Sequence, residues 1–199
     1  MISYSQVNQD IWVVKTLNGK RNGYFLDVGA FDGIKFSNSY LLEKFFRWDG
    51  LLVEAHPDNF SKLISCRSSK SINAAISDFC GVTAIEYAGS TGSKISHTGI
   101  EVNSLTLRNL FYENNVPTII DYMSLDIEGF ELNALNGFPF ETHICLTVTI
   151  EHNLYCEGPV NKNKIKELMF KNGYILDVED VCCDGNPFED WYIHHTIKK

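Results

Sequence analysis

The sequence predicts an α/β protein: a mainly parallel sheet covered by helices on both faces. Short apolar runs of strand length alternate along the chain with segments of helical periodicity. The runs are apolar almost throughout, as strands buried on both faces are. Their carboxyl ends carry acids and glycines, at the edge where sheets of this kind bind ligands.

Taken in order, "SQVNQDIWVVKTL" puts Val7, Ile11 and Val14 on one helical face, giving an N-terminal helix within residues 1–20 that "NGKRNG" ends. "YFLDVGA" is the first strand. Ser37 is a capping-type residue before the helix "NSYLLEKFF", and "GLLVEA" is the second strand. Pro57 suits the first turn of "PDNFSKLIS", whose stripe is Phe60, Leu63 and Ile64. "INAAIS" reads as a third strand and "GVTAIEYAG" as an extra one, and the Gly/Ser/Thr-rich stretch within 90–103 reads as a flexible loop. A helix at "LTLRNLFYEN", strands at "DYMSLDI" and "CLTVTIEHN", and a helix at "GFELNALNGF" between them follow. "KIKELMFKNG" then gives a last helix, with terminal strands at "YILDVEDV" and "WYIHHTI".

The length of 199 residues fits one domain spanning 1–199. The net charge of -8, with no basic run longer than Lys198-Lys199 and no D/N-P-P-Y motif, disfavours a nucleic-acid partner. No stretch approaches a membrane span and no basic leader precedes an apolar core, so a soluble, cytoplasmic protein is expected. The six cysteines show neither CxxC nor His/Cys zinc spacing and read as reduced thiols, vicinal Cys182-Cys183 included.

"LDVGAFDG" lacks the full GxGxxG fingerprint, having only Gly29 and Gly33, and Asp27 precedes the first of them. An acid there repels a pyrophosphate but suits a cationic ligand such as S-adenosylmethionine (SAM). Glu54, ending the second strand, is placed to accept both ribose hydroxyls.

"FLDVGAFDG", "WDGLLVEAHPDNF", "NAAISD", "SLDIEGFELNAL" and "VTIEHN" resemble, in this order, the FkbM-type SAM-dependent methyltransferases, over nearly the whole chain. The resemblance implies a class I methyltransferase (Rossmann-like) fold, a seven-stranded sheet with the last strand antiparallel, and methyl transfer to oxygen. Carried over by position, it implies that Asp27, Gly29, Ala30 and Asp32 line the methionine part of SAM and that Asn38 and Ser39 reach the cofactor. Glu54 would hold the ribose, with Ala55 and Ala75 near the adenine. It also implies a sugar, nucleotide-sugar or glycan acceptor.

Asp126 ends the fourth strand, and Glu151 with His152 ends the fifth, so all three are expected at the acceptor, with His152 or Asp126 as base. Magnesium held by Asp126 and Glu151 is the alternative, for which His152 is a poor ligand. Each candidate also has a structural role open to it: Asp126 at the positive end of the next helix, Glu128 as organiser of that helix start, His152 as a buried structural histidine. Glu131 is expected to be solvated, and His97 to belong to an acceptor lid. The acceptor surface is expected from the N-terminal segment, residues 90–103 and the chain after Glu151. A noncatalytic SAM-binding partner of a glycan-assembly enzyme and an O-methyltransferase for a non-carbohydrate small molecule are the competing functions.

Overall fold

The computed structural model describes residues 1–88 and 92–197. In chain order the elements are α1 (Gln9–Thr16), β1 (Tyr24–Val28), α2 (Tyr40–Phe46), β2 (Asp49–Glu54), α3 (Pro57–Cys66), β3 (Lys70–Asn73), β4 (Ala75–Ile76), β5 (Gly81–Ala88), β6 (Gly92–Ser96) and β7 (Ile100–Leu105). Then come α4 (Leu107–Asn114), β8 (Ile119–Leu125), α5 (Glu131–Asn136), β9 (Ile144–Glu151), α6 (Leu154–Glu157), α7 (Pro159–Lys171), β10 (Tyr174–Cys183) and β11 (Asn186–His194).

Seven strands form the main sheet in the order β10-β11-β9-β8-β1-β2-β3. Pairings among β9, β8, β1, β2 and β3 are parallel, while β11 runs antiparallel to both its neighbours. The expected class I methyltransferase architecture, last strand antiparallel, is what is found. From β1 the chain continues to β2 on one side, and β8 lies on the other. The order therefore reverses between β1 and β8, and a crevice opens at their carboxyl ends.

The apolar strands feed two cores, one per face. Leu26, Val28, Leu51 and Val53 pack with Leu107, Leu110, Ile165 and Met169, whereas Phe25, Leu52 and Tyr122 pack with Val13, Leu41, Leu42 and Leu63. The period of two along β1 sends Phe25 and Asp27 to the second of these faces. Each fully buried leucine contributes about 1.5–3 kcal/mol of burial. Two helix starts, those of α3 and α4, are capped by side chains. The imidazole of His56 accepts the Asp58 N–H ahead of α3, with Pro57 in the first turn, and Thr106 Oγ1 accepts the Asn109 N–H at 3.1 Å to begin α4. α2 begins at Tyr40 with Ser39 in the cap position, two residues later than expected, and Ser37 Oγ accepts the Tyr40 N–H at 3.1 Å from outside it.

Four expectations change. The N-terminal helix is only Gln9–Thr16, because Asn8 takes a left-handed conformation and leaves Val7 outside. Ile64 is exposed, so the α3 stripe narrows to Leu63 and partly buried Phe60. "INAAIS" divides at Ala74: Lys70–Asn73 joins the main sheet, and Ala75–Ile76 pairs with β7 in a second, four-stranded sheet ordered β4-β7-β5-β6. The expected loop at 90–103 contributes β6 and most of β7, both paired with β5; residues 90 and 91 lie outside the described residues. Its small polar residues conceal a hairpin because the buried positions are few: Ile85 of β5 is almost fully buried, while β6 and β7 are mostly half-exposed. No helix among the described residues is long and apolar enough to cross a membrane.

Candidate active site

A cleft of about 410 Å³ lies at the carboxyl ends of β1, β2, β8 and β9, with the second sheet as one wall. At the end of β1 the chain turns at Gly29, whose N–H and that of Ala30 both donate to Val53 O at 3.0 Å. Gly29 has φ +92°, and a Cβ there would collide with the carbonyl oxygen of Asp126. Only glycine allows the β1 loop and the end of β8 to abut so closely. The Asp126 N–H in turn donates to Val28 O at 3.0 Å.

The acids on this side are firmly held. Asp27 is buried and accepts a 2.5 Å hydrogen bond from Ser39 Oγ, which accepts from Arg67 Nη2 at 3.0 Å. Burial raises the Asp27 carboxyl, and the Ser39 hydrogen bond and Arg67 charge oppose it. Glu54 is clamped by the backbone N–H groups of Phe31 and His56, at 2.9 and 2.8 Å. Burial still lifts it to about 7. Gly29, Ala30, Asn38, Ala55 and Ala75 line the cleft, and apolar Ala74, Ile76, Ile85 and Ile95 supply a surface for a flat ring. Two expected contacts are not there. Asp32 turns away to accept the Ile34 and Lys35 N–H groups, and fully buried Ser39 acts through Asp27.

At the ends of β8 and β9 the acids face one another. The Asp126 and Glu151 carboxyls lie within 4.8 Å of one another; burial raises Glu151 well above the usual carboxylate range, with Asp126 adding to it, and burial raises Asp126 to about 6. Glu128 joins them, and one oxygen of each of the three lies within 4.8 Å of the others. Its backbone is left-handed, φ 58°, and its carboxylate packs against Gly92, where a Cβ would strike it. Burial, then the charges of Asp126 and Glu157, bring Glu128 to about 7. These three are the oxygen donors available for a hard cation.

Glu131, and not Glu128, organises the helix start, while Glu128 joins the acid cluster. Glu131 is buried, not solvated, and its Oε1 accepts the N–H groups of Ile127 and Gly129 at 2.9 and 3.1 Å. It organises the turn, at the expense of a carboxyl that burial raises to about 8. The helix therefore starts only at Glu131, with Phe130 in the flanking position.

His152 does not reach the cleft. Its Nδ1 accepts the Leu154 N–H at 3.2 Å, so Nε2 carries the proton and points to Asp190 Oδ1 at 3.4 Å, in a cluster with Asp180 and Lys162. Asp190 draws the imidazole to the far side of the β9 end. His97 is exposed between β6 and β7 and lines no part of the cleft. The cysteines are free thiols; Cys183 is the one at the cleft.

The segments expected to form the acceptor wall all contribute to the cleft lining: Gln6 and Gln9, then Gly92, Ser93 and Ile95, then Asn153 and Tyr155. Sequence reasoning missed Arg67 and the β10–β11 turn with Asp184, Asn186 and Phe188. A lone arginine after a helix gives no signal. The turn's "DGN" marks a hairpin without saying what it faces.

The methyltransferase FkbM domain model matches residues 27–176. A search of curated proteins finds no match in sequence. Among solved structures, Aeropyrum pernix fibrillarin with natively bound SAM is 12% identical with a TM-score of 0.52, over 87% of this chain and 67% of that one. A TehB-like SAM-dependent methyltransferase from Corynebacterium glutamicum is 12% identical at a TM-score of 0.51, over 94% and 86%. The METTL16 methyltransferase domain is 11% identical at 0.57, over 93% of this chain and 65% of that one. At such identities the likeness concerns the fold. With the family match over most of its length and the glycine loop and Glu54 at one cleft, the chain belongs to the FkbM methyltransferase domain family and is built as a SAM-dependent methyltransferase.

Proposed function

We propose that the protein transfers the methyl group of SAM to a hydroxyl of a sugar or glycan. The observation that carries this is the close carboxyl pair Asp126–Glu151 in the cleft, beside the Gly29 loop. An alcohol is a poor nucleophile and must lose its proton as the C–O bond forms. Burial and mutual repulsion raise both carboxyls, and with Asp126 brought to about 6 it can take up a proton near neutral pH.

In this reading Gly29, Ala30 and Asp27 hold the methionine part of the cofactor, Glu54 takes the ribose hydroxyls, and Ala55 and Ala75 lie along the adenine. Asn38 reaches the cofactor from the start of α2. The cofactor supplies an electrophilic methyl on sulfur. The residues align the acceptor oxygen behind that carbon, and Asp126 receives its proton while S-adenosylhomocysteine departs. His152 positions the β9 end from outside. Asp126 and Glu151 are also the donors that magnesium would take, lowering the pKa of the hydroxyl.

The test is methyl transfer from isotopically labelled SAM to free sugars, nucleotide sugars and glycans, with the product methyl located by NMR. An O-methyl sugar, formed undiminished in EDTA, is expected. SAM binding without transfer to any acceptor would sink the proposal in favour of a noncatalytic partner.

A further inference from the structure

The cleft carries more acidic groups than its cofactor carries cationic ones. Asp27, Glu54, Asp126, Glu128, Glu151 and Asp184 line it, and Lys35 is the single cation among the described lining residues. SAM brings a sulfonium, an ammonium and a carboxylate, a net charge of one. Asp27 and Glu54 already have partners on the cofactor side. The surplus lies at the ends of β8 and β9.

That surplus is built, not incidental. Glu131 spends a buried carboxylate on the backbone of Ile127 and Gly129, fixing the turn between them. The turn holds Glu128 at a left-handed φ of 58°, a conformation costing a non-glycine residue about 1–2 kcal/mol. The result brings a third acid to within 4.8 Å of Asp126 and Glu151. Two residues lining the cleft each hold a buried acceptor oxygen without a donor. Glu151 is 6% exposed with Oε2 unpartnered. Asn38, 7% exposed, donates through Nδ2 to Ser124 Oγ at 2.8 Å and leaves Oδ1 unpartnered. Buried oxygens without donors are costly and call for a ligand rich in N–H.

Resting on the proposed hydroxyl methylation, we infer that the acceptor is an amino sugar, whose ammonium is held by Glu128 and Glu151 while its neighbouring hydroxyl faces Asp126. The ammonium offers three donors to carboxylates set around it, as no neutral hydroxyl does. The same acids repel a phosphate, so sugar phosphates and nucleotide sugars are disfavoured. The step balances: the sulfur–methyl bond breaks with its electron pair going to sulfur, the oxygen–methyl bond forms, and the hydroxyl proton passes to Asp126.

The experiment measures methyl transfer from SAM, and binding to the S-adenosylhomocysteine-loaded protein. The probes are glucosamine, galactosamine and mannosamine, each against its N-acetyl derivative, its parent hexose and its phosphate, with and without EDTA. The expected result is at least a tenfold preference for a free amine in kcat/KM or Kd, with the product methylated on oxygen. Glu128→Gln should reduce that preference at least fivefold while S-adenosylhomocysteine affinity stays within threefold, reporting an intact fold. Equal transfer to neutral sugars would overturn the ammonium site and leave hydroxyl methylation standing. So would preference for a phosphate, or a divalent-ion requirement with a neutral sugar, which would assign the three acids to a metal. A methyl on nitrogen would make the amine the reacting group and overturn both readings, as would neither binding nor transfer with any sugar.

Discussion

The two halves of the cleft are built from the same residue types in opposite ways. On the β1–β2 side, Asp27 and Glu54 are satisfied within the chain, by Ser39 backed by Arg67 and by two backbone N–H groups. On the β8–β9 side, Asp126, Glu128 and Glu151 face one another, and Glu151 keeps an oxygen without a donor. A carboxylate with fixed donors is a rigid receptor. Carboxylates that crowd one another are poised to exchange protons or accept a cation. The first arrangement suits an invariant cofactor and the second a reaction.

The largest effect should come from breaking the second half alone. Asp126→Asn should lower kcat about 10²–10⁴-fold, the usual worth of a positioned base, while leaving SAM affinity nearly unchanged in calorimetry. An equal loss of SAM affinity would place Asp126 in the cofactor half instead. Next, Glu54→Gln should weaken SAM binding by about 1.5–3 kcal/mol, the range for hydrogen bonds to a charged group, with little change in kcat at saturating SAM. Third, the buried acids that hold the frame of both halves, Glu54 and Glu131, should destabilise the ligand-free protein as pH rises. Glu131 and Glu54 have folded pKa values of about 8 and 7, above the unfolded value of 4.5. The folded state therefore holds more protons across that window, and their stabilisation, complete below about 4.5, is lost as pH rises to about 8. The Tm should fall between pH 5 and 8. Glu131→Gln, which keeps the accepting oxygen, should flatten that fall by several degrees, at about 2–4 °C per kcal/mol. A smaller effect is expected at His152, where His152→Gln should change kcat less than threefold because the ring faces Asp190 and not the cleft.

The same contrast governs what the sequence disclosed. The β1 loop is local, so Asp27, Gly29 and, one strand later, Glu54 were legible from strand length and a glycine turn. Asp126 and Glu151 were legible because parallel strands put their ends on one edge. That Glu131 organises the helix start in place of Glu128 was not, since it depends on a left-handed residue that delays the helix to Glu131. Nor was the direction of His152, which is decided by Asp190, remote in sequence. The second sheet escaped notice because its strands carry too few buried positions to show a period of two.

One topological detail bears on how the protein comes to exist at all. β11 follows the other ten strands in the chain yet is paired on both sides, between β9 and β10. During synthesis β10 has no partner in the main sheet until β11 emerges to bridge it to β9. The N-terminal segment waits too: Gln9 Nε2 donates to Glu189 of β11 at 2.9 Å, across 180 positions of sequence. Sheet closure and the docking of the first residues are therefore both late events, of the long-range kind that fold slowly. Premature termination just before β11 should yield an aggregation-prone chain with an open β9 edge, and not a weakly active enzyme.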